Sequence, residues 1–251
     1  MQPEIQLGPV TLQTFGIMFA LAFVAAGYLI RRRFIELGKP ADWAYEMIFF
    51  ALIGGVVGAR VYFLIQNWSQ VHNDLFASIF SGSGLVWYGG AIGGALAVLG
   101  WAKYRDFLNL QLLDVAAPAL ALGYAVGRIG CQVSGDGDYG VASSLPWAMS
   151  YPHGTVPTDE LVHPTPIYEA LVMAAVAWFL WRRRHSLRLG SLFAAYLLLA
   201  GAERFLVEFI RRNSDVVAGL TVPQLESLAM VAIGLTWLLL RRQPSKTVVA
   251  T

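Results

Sequence analysis

Three arginines stand inside stretches of the sequence that are otherwise apolar: Arg60, Arg128 and Arg204. A cation within membrane hydrocarbon is costly, so such residues usually mark a functional site. A guanidinium group can pair with two oxygens of a phosphate at once. Each arginine lies roughly 21–24 Å along its predicted span, which places all three near the outer surface of a bilayer. The pattern predicts a pocket for the anionic head group of a lipid.

Other polar side chains accompany these arginines. Tyr88 and Glu169 lie about one helical turn inside the outer ends of their predicted spans, and Glu208 follows Arg204 by one turn. Glu169 is expected to pair with an arginine, whereas Glu208 either forms a helical ion pair or contacts substrate. Because the polar groups do not continue to the inner face, a proton or ion path is not expected.

The elements that must position these residues are membrane spans. Hydrophobic residues make up 57% of the 251 residues and charged residues 14%, against about 25% charged in soluble proteins. A span needs about 20 apolar residues. Seven candidates are present, at residues 11–30, 44–64, 84–102, 112–130, 166–181, 190–208 and 222–240. An all-α polytopic membrane protein is predicted, which excludes a soluble enzyme and a nucleic-acid-binding protein.

The distribution of basic residues predicts the orientation. Lys and Arg collect in cytoplasmic loops, and here they collect at one set of span ends, at residues 31–33, 39, 103, 105, 182–184, 188, 241, 242 and 246. The N-terminus is therefore expected outside and the C-terminus inside. We predict one integral membrane domain over residues 1–242, with an outer loop at about 132–165, and a cytoplasmic tail at 243–251. The acidic N-terminus has the wrong polarity for a cleaved signal peptide, so the first span is expected to be retained.

Glycines recur at four-residue spacing within several predicted spans. The pairs are Gly54 and Gly58, Gly89 and Gly93, Gly90 and Gly94, and Gly123 and Gly127. Small residues at this spacing allow helices to approach closely in lipid. We expect these glycines to lie at helix crossings.

The most specific motif runs Gly-Arg-Ile-Gly-Cys-Gln-Val-Ser-Gly-Asp-Gly-Asp-Tyr-Gly, from residue 127 to residue 140. It closes the fourth predicted span and opens the outer loop. Backbone N–H groups in a glycine-rich turn can bind an oxyanion. The alternative is a helix cap beside an arginine that reaches outward. Two further arginines at the same depth favour a binding site.

Several single residues have two interpretations. His163 is either a base or a cap of the outer loop, and Asp136 and Asp138 form either a turn or a substrate contact. Cys131, the single cysteine, is expected to be a small packed residue, and a disulfide within the chain is excluded. Histidines and acidic residues of the loop lack a tight metal-binding spacing, so neither a metal nor another cofactor is expected.

The chain resembles the bacterial prolipoprotein diacylglyceryl transferase family in its motifs and in their order. The Gly-Arg-Ile-Gly run at 127–130 matches the opening of the family signature. The run His-Pro-Thr-Pro-Ile-Tyr-Glu at 163–169 is similar to the family's His-Pro-x-x-x-Tyr-Glu motif. The run Arg-Phe-Leu-Val-Glu-Phe-Ile-Arg at 204–211 is similar to its Arg-Phe-x-x-Glu-Phe-x-Arg motif, and Gly-Ala-Arg at 58–60 matches an element of its second span.

The resemblance implies an enzyme of the bacterial cytoplasmic (inner) membrane, with its active site toward the outer leaflet. The reaction moves the diacylglyceryl group of phosphatidylglycerol to the lipobox cysteine thiol of a preprolipoprotein and releases glycerol phosphate. The implied partners are phosphatidylglycerol, preprolipoprotein signal peptides and membrane lipid. The predicted catalytic residues are Arg128, Arg204, Tyr88 and His163. The predicted substrate-binding residues are Arg60, Arg128, Glu169, Glu208, Arg211, Asp136 and Ser134.

The sequence departs from the family pattern at several site positions. Tyr88 stands where the family usually has a histidine that is proposed to be catalytic, and an unperturbed tyrosine is a poor base at neutral pH. Cys131 and Ser134 correspond to the two asparagines of the signature, and Asp136 to its glutamate. Two alternatives therefore stay open at this point. One is a related transferase with another donor or acceptor, and the other is a non-catalytic phospholipid-binding or transport protein.

Overall fold

The computed structural model describes residues 1–68 and 86–242. Within them the chain forms seven helices and four short strands. These are β1 (Glu4–Leu7), β2 (Val10–Gln13), α1 (Thr14–Glu36), α2 (Trp43–Gln66), α3 (Trp87–Tyr104), α4 (Leu110–Ser134), β3 (Met149–Tyr151), β4 (Thr158–Val162), α5 (Thr165–Arg183), α6 (Ser191–Glu208) and α7 (Val222–Arg242).

The seven described helices coincide with the seven apolar segments of the sequence, so the helical character is confirmed. Four of them, α1, α2, α4 and α7, are long and apolar enough to cross a membrane. The other three have 18 or 19 residues, and α5 and α6 carry ionisable residues of the candidate site. The predicted tail 243–251 and residues 84 and 85 of the third predicted span lie outside the described residues.

The described chain divides into two compact units. The large unit contains Met1–Leu29 and the residues from Leu113 onward, and the small unit contains Ile30–Leu112. The core of the large unit is formed by small and aliphatic residues of α4, α5 and α6, among them Ala117, Ala121, Met173, Leu180 and Leu192. Alanines on α4 keep this face of the helix flat, so its neighbours can pack closely against it.

The small unit is organised around the crossing of α2 and α3. A Cβ built on Gly58 would lie 2.3 Å from the carbonyl oxygen of Gly89, and one on Gly93 would lie 2.3 Å from that of Gly54. Real Cβ atoms do not approach backbone oxygens this closely, so the crossing requires glycine. The close approach expected for these two pairs is confirmed.

The glycine pair of α4 behaves differently. A Cβ on Gly123 would lie 3.6 Å from the carbonyl oxygen of Ala22 in α1, which is ordinary packing contact. A Cβ on Gly127 would meet no atom of the described residues within 4 Å. For the described residues the expectation of close helix packing is therefore wrong at Gly127, because none of their helices lies against this side of α4.

The N-terminus of α6 is fixed by a side chain from α4. Gly190, with φ of +83°, turns the chain into α6. The Asp114 carboxylate accepts hydrogen bonds from the backbone N–H groups of Gly190 at 2.6 Å and Phe193 at 3.1 Å. The first N–H groups of a helix lack partners within it and carry partial positive charge. Asp114 therefore sets the position of α6 along α4.

Two small antiparallel hairpins accompany the helices, β1–β2 before α1 and β3–β4 in the predicted outer loop. The sequence analysis did not predict them, since the strands have three to five residues. In the loop, Tyr151 is fully buried and stacks on Tyr139, with ring centroids 4.8 Å apart. Its hydroxyl donates to Oε1 of Gln132 at 2.9 Å, which attaches the hairpin to the end of α4.

Candidate functional site

Helices α4, α5 and α6 bring two of the predicted arginines onto one buried carboxylate. The Glu169 side chain is 0% exposed. Nε of Arg128 lies 2.8 Å from its Oε2, and Nη1 of Arg204 lies 3.1 Å from its Oε1. The ion pairing expected for Glu169 is present, and it joins Arg128 to Arg204.

A third arginine reaches the same carboxylate from the segment that follows α6. Nη1 of Arg211 lies 3.4 Å from Oε1 of Glu169. Arg211 and Arg128 also both bind the Asp138 carboxylate, one on each oxygen. Asp138 therefore bridges two arginines, although the sequence left it as a turn or substrate residue and placed Asp136 in the site.

Glu208 completes this group, which we call the arginine cluster: Arg128, Arg204, Arg211, Glu169, Glu208 and Asp138. Nη2 of Arg204 lies 2.9 Å from Oε2 of Glu208, which is the helical ion pair considered for these residues. The other oxygen of Glu208 accepts a hydrogen bond from Oγ1 of Thr221 at 2.9 Å. Glu208 thereby connects the cluster to the start of α7.

The formal charges of the arginine cluster cancel, because three guanidinium groups face three carboxylates. Two buried oxygens, Oε2 of Glu169 and Oε2 of Glu208, lie beside guanidinium nitrogens without an aligned hydrogen bond to a described residue. Buried ion pairs stabilise a structure only when the remaining donors and acceptors are also satisfied. Here the two oxygens are compensated by charge, since Nε of Arg128 lies 2.8 Å from the first and Nη2 of Arg204 lies 2.9 Å from the second.

Tyr124 supports the cluster from within α4, and the sequence analysis missed it. Its ring lies beneath Arg128, with the guanidinium carbon 4.9 Å from the ring centroid. Its hydroxyl donates to Oε1 of Glu169 at 3.4 Å. The spacing of four residues to Arg128 places both side chains on one helix face, so this contact had a signal in the sequence.

The turn that follows α4 is held by its own side chains. Gly135 and Gly137 have φ of +59° and +94°. The Ser134 hydroxyl donates to the carbonyl of Gly130 at 2.8 Å, and Oδ1 of Asp136 accepts from the backbone N–H of Asp138 at 3.2 Å. Both groups shape the turn that presents Asp138, and their predicted contact with substrate stays a prediction.

The environment of Asp138 favours its ionised form. Burial by itself would raise the pKa of the Asp138 carboxyl, but the charges of Arg128 and Arg211 outweigh this effect. The pKa therefore lies below its ordinary value. Asp138 remains an anion throughout the neutral range and holds two guanidinium groups beside the end of α4.

Cys131 lies at the edge of the cluster. It is buried, and Nη1 of Arg128 approaches its Sγ at 3.7 Å. The Sγ atom and the carboxylates of Asp136 and Asp138 lie within 4.8 Å of one another. The guanidinium of Arg128 is a positive charge that lies beside these side chains. The burial of Cys131 and its contact with Arg128 agree with the packed role expected for this cysteine.

His163 belongs to a small aromatic group at the start of α5. Its Nδ1 lies 3.5 Å from the hydroxyl oxygen of Tyr168, which accepts a hydrogen bond from Nε1 of Trp147 at 2.7 Å. The carbonyl of His163 accepts from the backbone N–H of Gly140 at 2.8 Å. These contacts agree with the loop-capping interpretation, and the role of His163 as a base stays a prediction.

Arg60 and Tyr88 belong to the small unit. Arg60 is buried, with its guanidinium carbon 5.3 Å from the ring centroid of Phe63. The backbone N–H of Val86 donates to the carbonyl of Ala59 at 3.4 Å, which brings the segment before Tyr88 beside the residue before Arg60. The structure thus brings these two segments together within the small unit.

Comparisons with known proteins agree with the motifs. The model of the family described as prolipoprotein diacylglyceryl transferase matches residues 3–240. A phosphatidylglycerol–prolipoprotein diacylglyceryl transferase of Chromohalobacter salexigens is 34% identical over 254 residues, which are 96% of this chain and 92% of that protein. The protein of that name from Nostoc sp. is 31% identical over 98% of this chain and 92% of its own length. The one from Leptospira interrogans is 33% identical over 81% of this chain and 72% of its own length.

Proposed function

Because the chain belongs to the prolipoprotein diacylglyceryl transferase family, we propose that the arginine cluster is part of its active site. The enzyme transfers the diacylglyceryl group of phosphatidylglycerol to the lipobox cysteine thiol of a preprolipoprotein, and glycerol phosphate leaves. The names of the relatives favour this reaction over the lipid-binding and alternative-acceptor hypotheses. The observation that carries the site assignment is the convergence of Arg128, Arg204 and Arg211 on Glu169.

The transfer reaction is accelerated by fixed cations beside the leaving phosphate. When the thiolate attacks the glyceryl carbon, the C–O bond breaks and negative charge grows on the phosphate oxygens. Guanidinium groups held in advance stabilise that charge without reorganisation. Arg128 and Arg204 bind the phosphate, and Arg211 and Glu208 support it. The substrate contact of Arg60, which belongs to the small unit, stays a prediction. The carboxylates hold the guanidinium planes, since a free arginine side chain samples many rotamers.

A phosphate must compete with carboxylates that already neutralise the arginines. The Asp138 side chain is 33% exposed and stands on a loop, whereas Glu169 and Glu208 are 0% exposed and stand on helices. Asp138 is therefore the carboxylate that can move aside with the least loss of packing. The Arg204 side chain is 21% exposed, more than that of Arg128 or Arg211, so it is the first to meet the substrate.

Residues 1–242 form a single integral membrane domain that spans the bacterial inner membrane seven times, with the N-terminus outside. This arrangement follows from the basic residues at one set of helix ends. Phosphatidylglycerol enters from the outer leaflet, and the loop at 132–165 forms part of the entrance for the signal peptide. Tyr88 or His163 assists deprotonation of the thiol, with substrate contacts from Ser134 and Asp136.

The proposal is tested with the purified full-length enzyme in phosphatidylglycerol vesicles and a fluorescent lipobox peptide. Thioether product and released glycerol phosphate are both measured. Arg128→Ala and Arg204→Ala are each expected to lower kcat/KM by about 10²–10³-fold, as for the loss of one charge-stabilising donor.

Arg182→Ala is the matched control, because Arg182 is an exposed arginine at the far end of α5. It is expected to keep wild-type activity. If correctly inserted Arg128→Ala and Arg204→Ala enzymes worked at the rate of this control, the arginine cluster would not be the phosphate site.

A further inference from the structure

The start of α7 carries a pair of side chains that cap the helix. Thr221 immediately precedes α7, and Gln224 follows it by three residues. The backbone N–H of Thr221 donates to Oε1 of Gln224 at 3.0 Å, and the backbone N–H of Gln224 donates to Oγ1 of Thr221 at 3.3 Å. This reciprocal arrangement is a capping box. Both residues are buried, so the position of the Thr221 hydroxyl is set by the first turn of α7.

The same hydroxyl makes a second hydrogen bond that leaves α7. A hydroxyl group offers one hydrogen to donate and two lone pairs that accept. The N–H of Gln224 uses a lone pair, and a carboxylate can only accept, so the hydroxyl hydrogen points at Oε1 of Glu208, 2.9 Å away. Nδ2 of Asn213 donates to the same carboxylate oxygen. Glu208 is thus held by two donors on one side.

These donors decide which way the Glu208 carboxylate faces. With Oε1 held, its Oε2 faces Nη2 of Arg204 at 2.9 Å. Nη1 of the same guanidinium lies 3.1 Å from Oε1 of Glu169. The guanidinium is a rigid plane, and two carboxylates hold it at two of its nitrogens. The Glu169 contact comes from α5, whereas the Glu208 contact depends on the start of α7.

We propose that Thr221 is a positioning residue for the transfer reaction. It holds Glu208, and through Glu208 it holds the Arg204 guanidinium where the leaving phosphate is received. This inference rests on the proposed function, in which Arg204 meets the phosphate. Charge stabilisation is effective when the charged group is held in place before the reaction. A loosened Arg204 should therefore slow breakage of the C–O bond more than it weakens binding of the lipid.

The test begins with Thr221→Val, which keeps the side-chain shape and removes the hydroxyl. In the vesicle assay we expect kcat to fall about tenfold, less than the hundredfold that a displacement of about 1 Å can cost, because Glu169 still holds Arg204. KM for phosphatidylglycerol should change by less than about threefold. Thr221→Ser keeps the hydroxyl and should restore most of the rate.

Two further variants separate positioning from helix capping. Thr221→Gly should be as slow as Thr221→Val, although glycine caps a helix almost as well as threonine. Ser227→Ala is the matched control, because the Ser227 hydroxyl is also on α7 but donates to the carbonyl of Pro223 in the same helix at 2.6 Å. This control should keep the wild-type kcat. A Thr221→Gly enzyme with the kcat of the control would overturn the proposal.

The decisive measurement repeats Thr221→Val in the Arg204→Ala enzyme. Residues that act through one interaction have non-additive effects, so the second change should lower kcat by less than about twofold. The same tenfold loss in both backgrounds would indicate a structural role and overturn the proposal. An Arg204→Ala enzyme as fast as wild type would instead refute the phosphate site itself, and the positioning role with it.

Discussion

Replacement of Glu169 by glutamine removes the charge at the centre of the arginine cluster. The change is nearly isosteric, so packing on α5 is retained. Three guanidinium groups, at 2.8, 3.1 and 3.4 Å from this carboxylate, lose a shared counter-ion. We expect the variant enzyme to be both less stable and less active.

The expected loss of stability follows from the burial of the group. At these distances each contact contributes roughly 5–6 kcal/mol of gross Coulomb attraction at an effective dielectric constant of about 20. Most of this offsets the desolvation of the four charged groups. Breaking a buried pair by removal of one partner costs about 3–5 kcal/mol. For a chain of this size that corresponds to a decrease in Tm of roughly 6–20 °C.

Activity should fall for a geometric reason. Without Glu169, Arg128 and Arg204 repel each other and move apart, and a displacement of about 1 Å from the reactive geometry can cost about a hundredfold in rate. Purified enzyme would be compared in two assays, thermal unfolding in detergent and transfer to a lipobox peptide in vesicles.

The control is Glu160→Gln. Glu160 pairs with Arg212 at 3.1 Å, the same distance as between Arg204 and Glu169, but its side chain is 66% exposed. Exposed pairs contribute about 0.2–1 kcal/mol, so this variant should unfold and react almost as wild type does. If both variants had the same Tm, burial would not set the strength of these ion pairs, and the central role of Glu169 would be refuted.

Three further predictions concern packing, capping and pH. Gly58→Ala should lower stability by about 1–3 kcal/mol, because its Cβ would lie 2.3 Å from the carbonyl oxygen of Gly89. The control Gly100→Ala should be neutral or stabilising, because its Cβ would meet no atom of the described residues within 4 Å. Equal unfolding temperatures of the two variants would contradict the close crossing. Asp114→Asn should lower the free energy of unfolding by about 0.5–2 kcal/mol, as for the loss of a helix cap. Amide hydrogen exchange should become faster selectively in the first turn of α6. An equal increase in the exchange rate along the whole helix would exclude capping by Asp114. The pKa of Asp138 is lowered in the folded state, so its stabilising effect is complete above the unfolded pKa of about 3.9 and disappears as pH falls through the folded value. Asp138→Asn should therefore flatten the loss of stability below about pH 4, and an unchanged acid limb in urea titrations would refute this assignment.

The helices could be predicted from the sequence because the relevant signal is local. A segment in lipid must satisfy its backbone hydrogen bonds internally, so an apolar run of sufficient length has little alternative to a helix. The predicted span at 44–64 became Trp43–Gln66, and that at 190–208 became Ser191–Glu208. The small hairpins were missed because strands of three to five residues outside the apolar runs carry no such constraint.

The candidate site was predicted only in part. Arg128 and Arg204 were identified because charge within an apolar run is conspicuous, and Glu169 for the same reason. Asp138 was not separated from Asp136, although the two are two residues apart, since only the turn geometry decides which carboxylate faces the arginines.

The sequence by itself therefore determined the helices, the buried charges and the family of the protein, because each depends on residue type and order along one segment. Only the tertiary structure decided that three arginines share Glu169 and that Asp138 bridges two of them. Those facts depend on the position of one helix along another. That position is set by contacts distant in sequence, such as the Asp114 carboxylate at the start of α6, which no local pattern encodes.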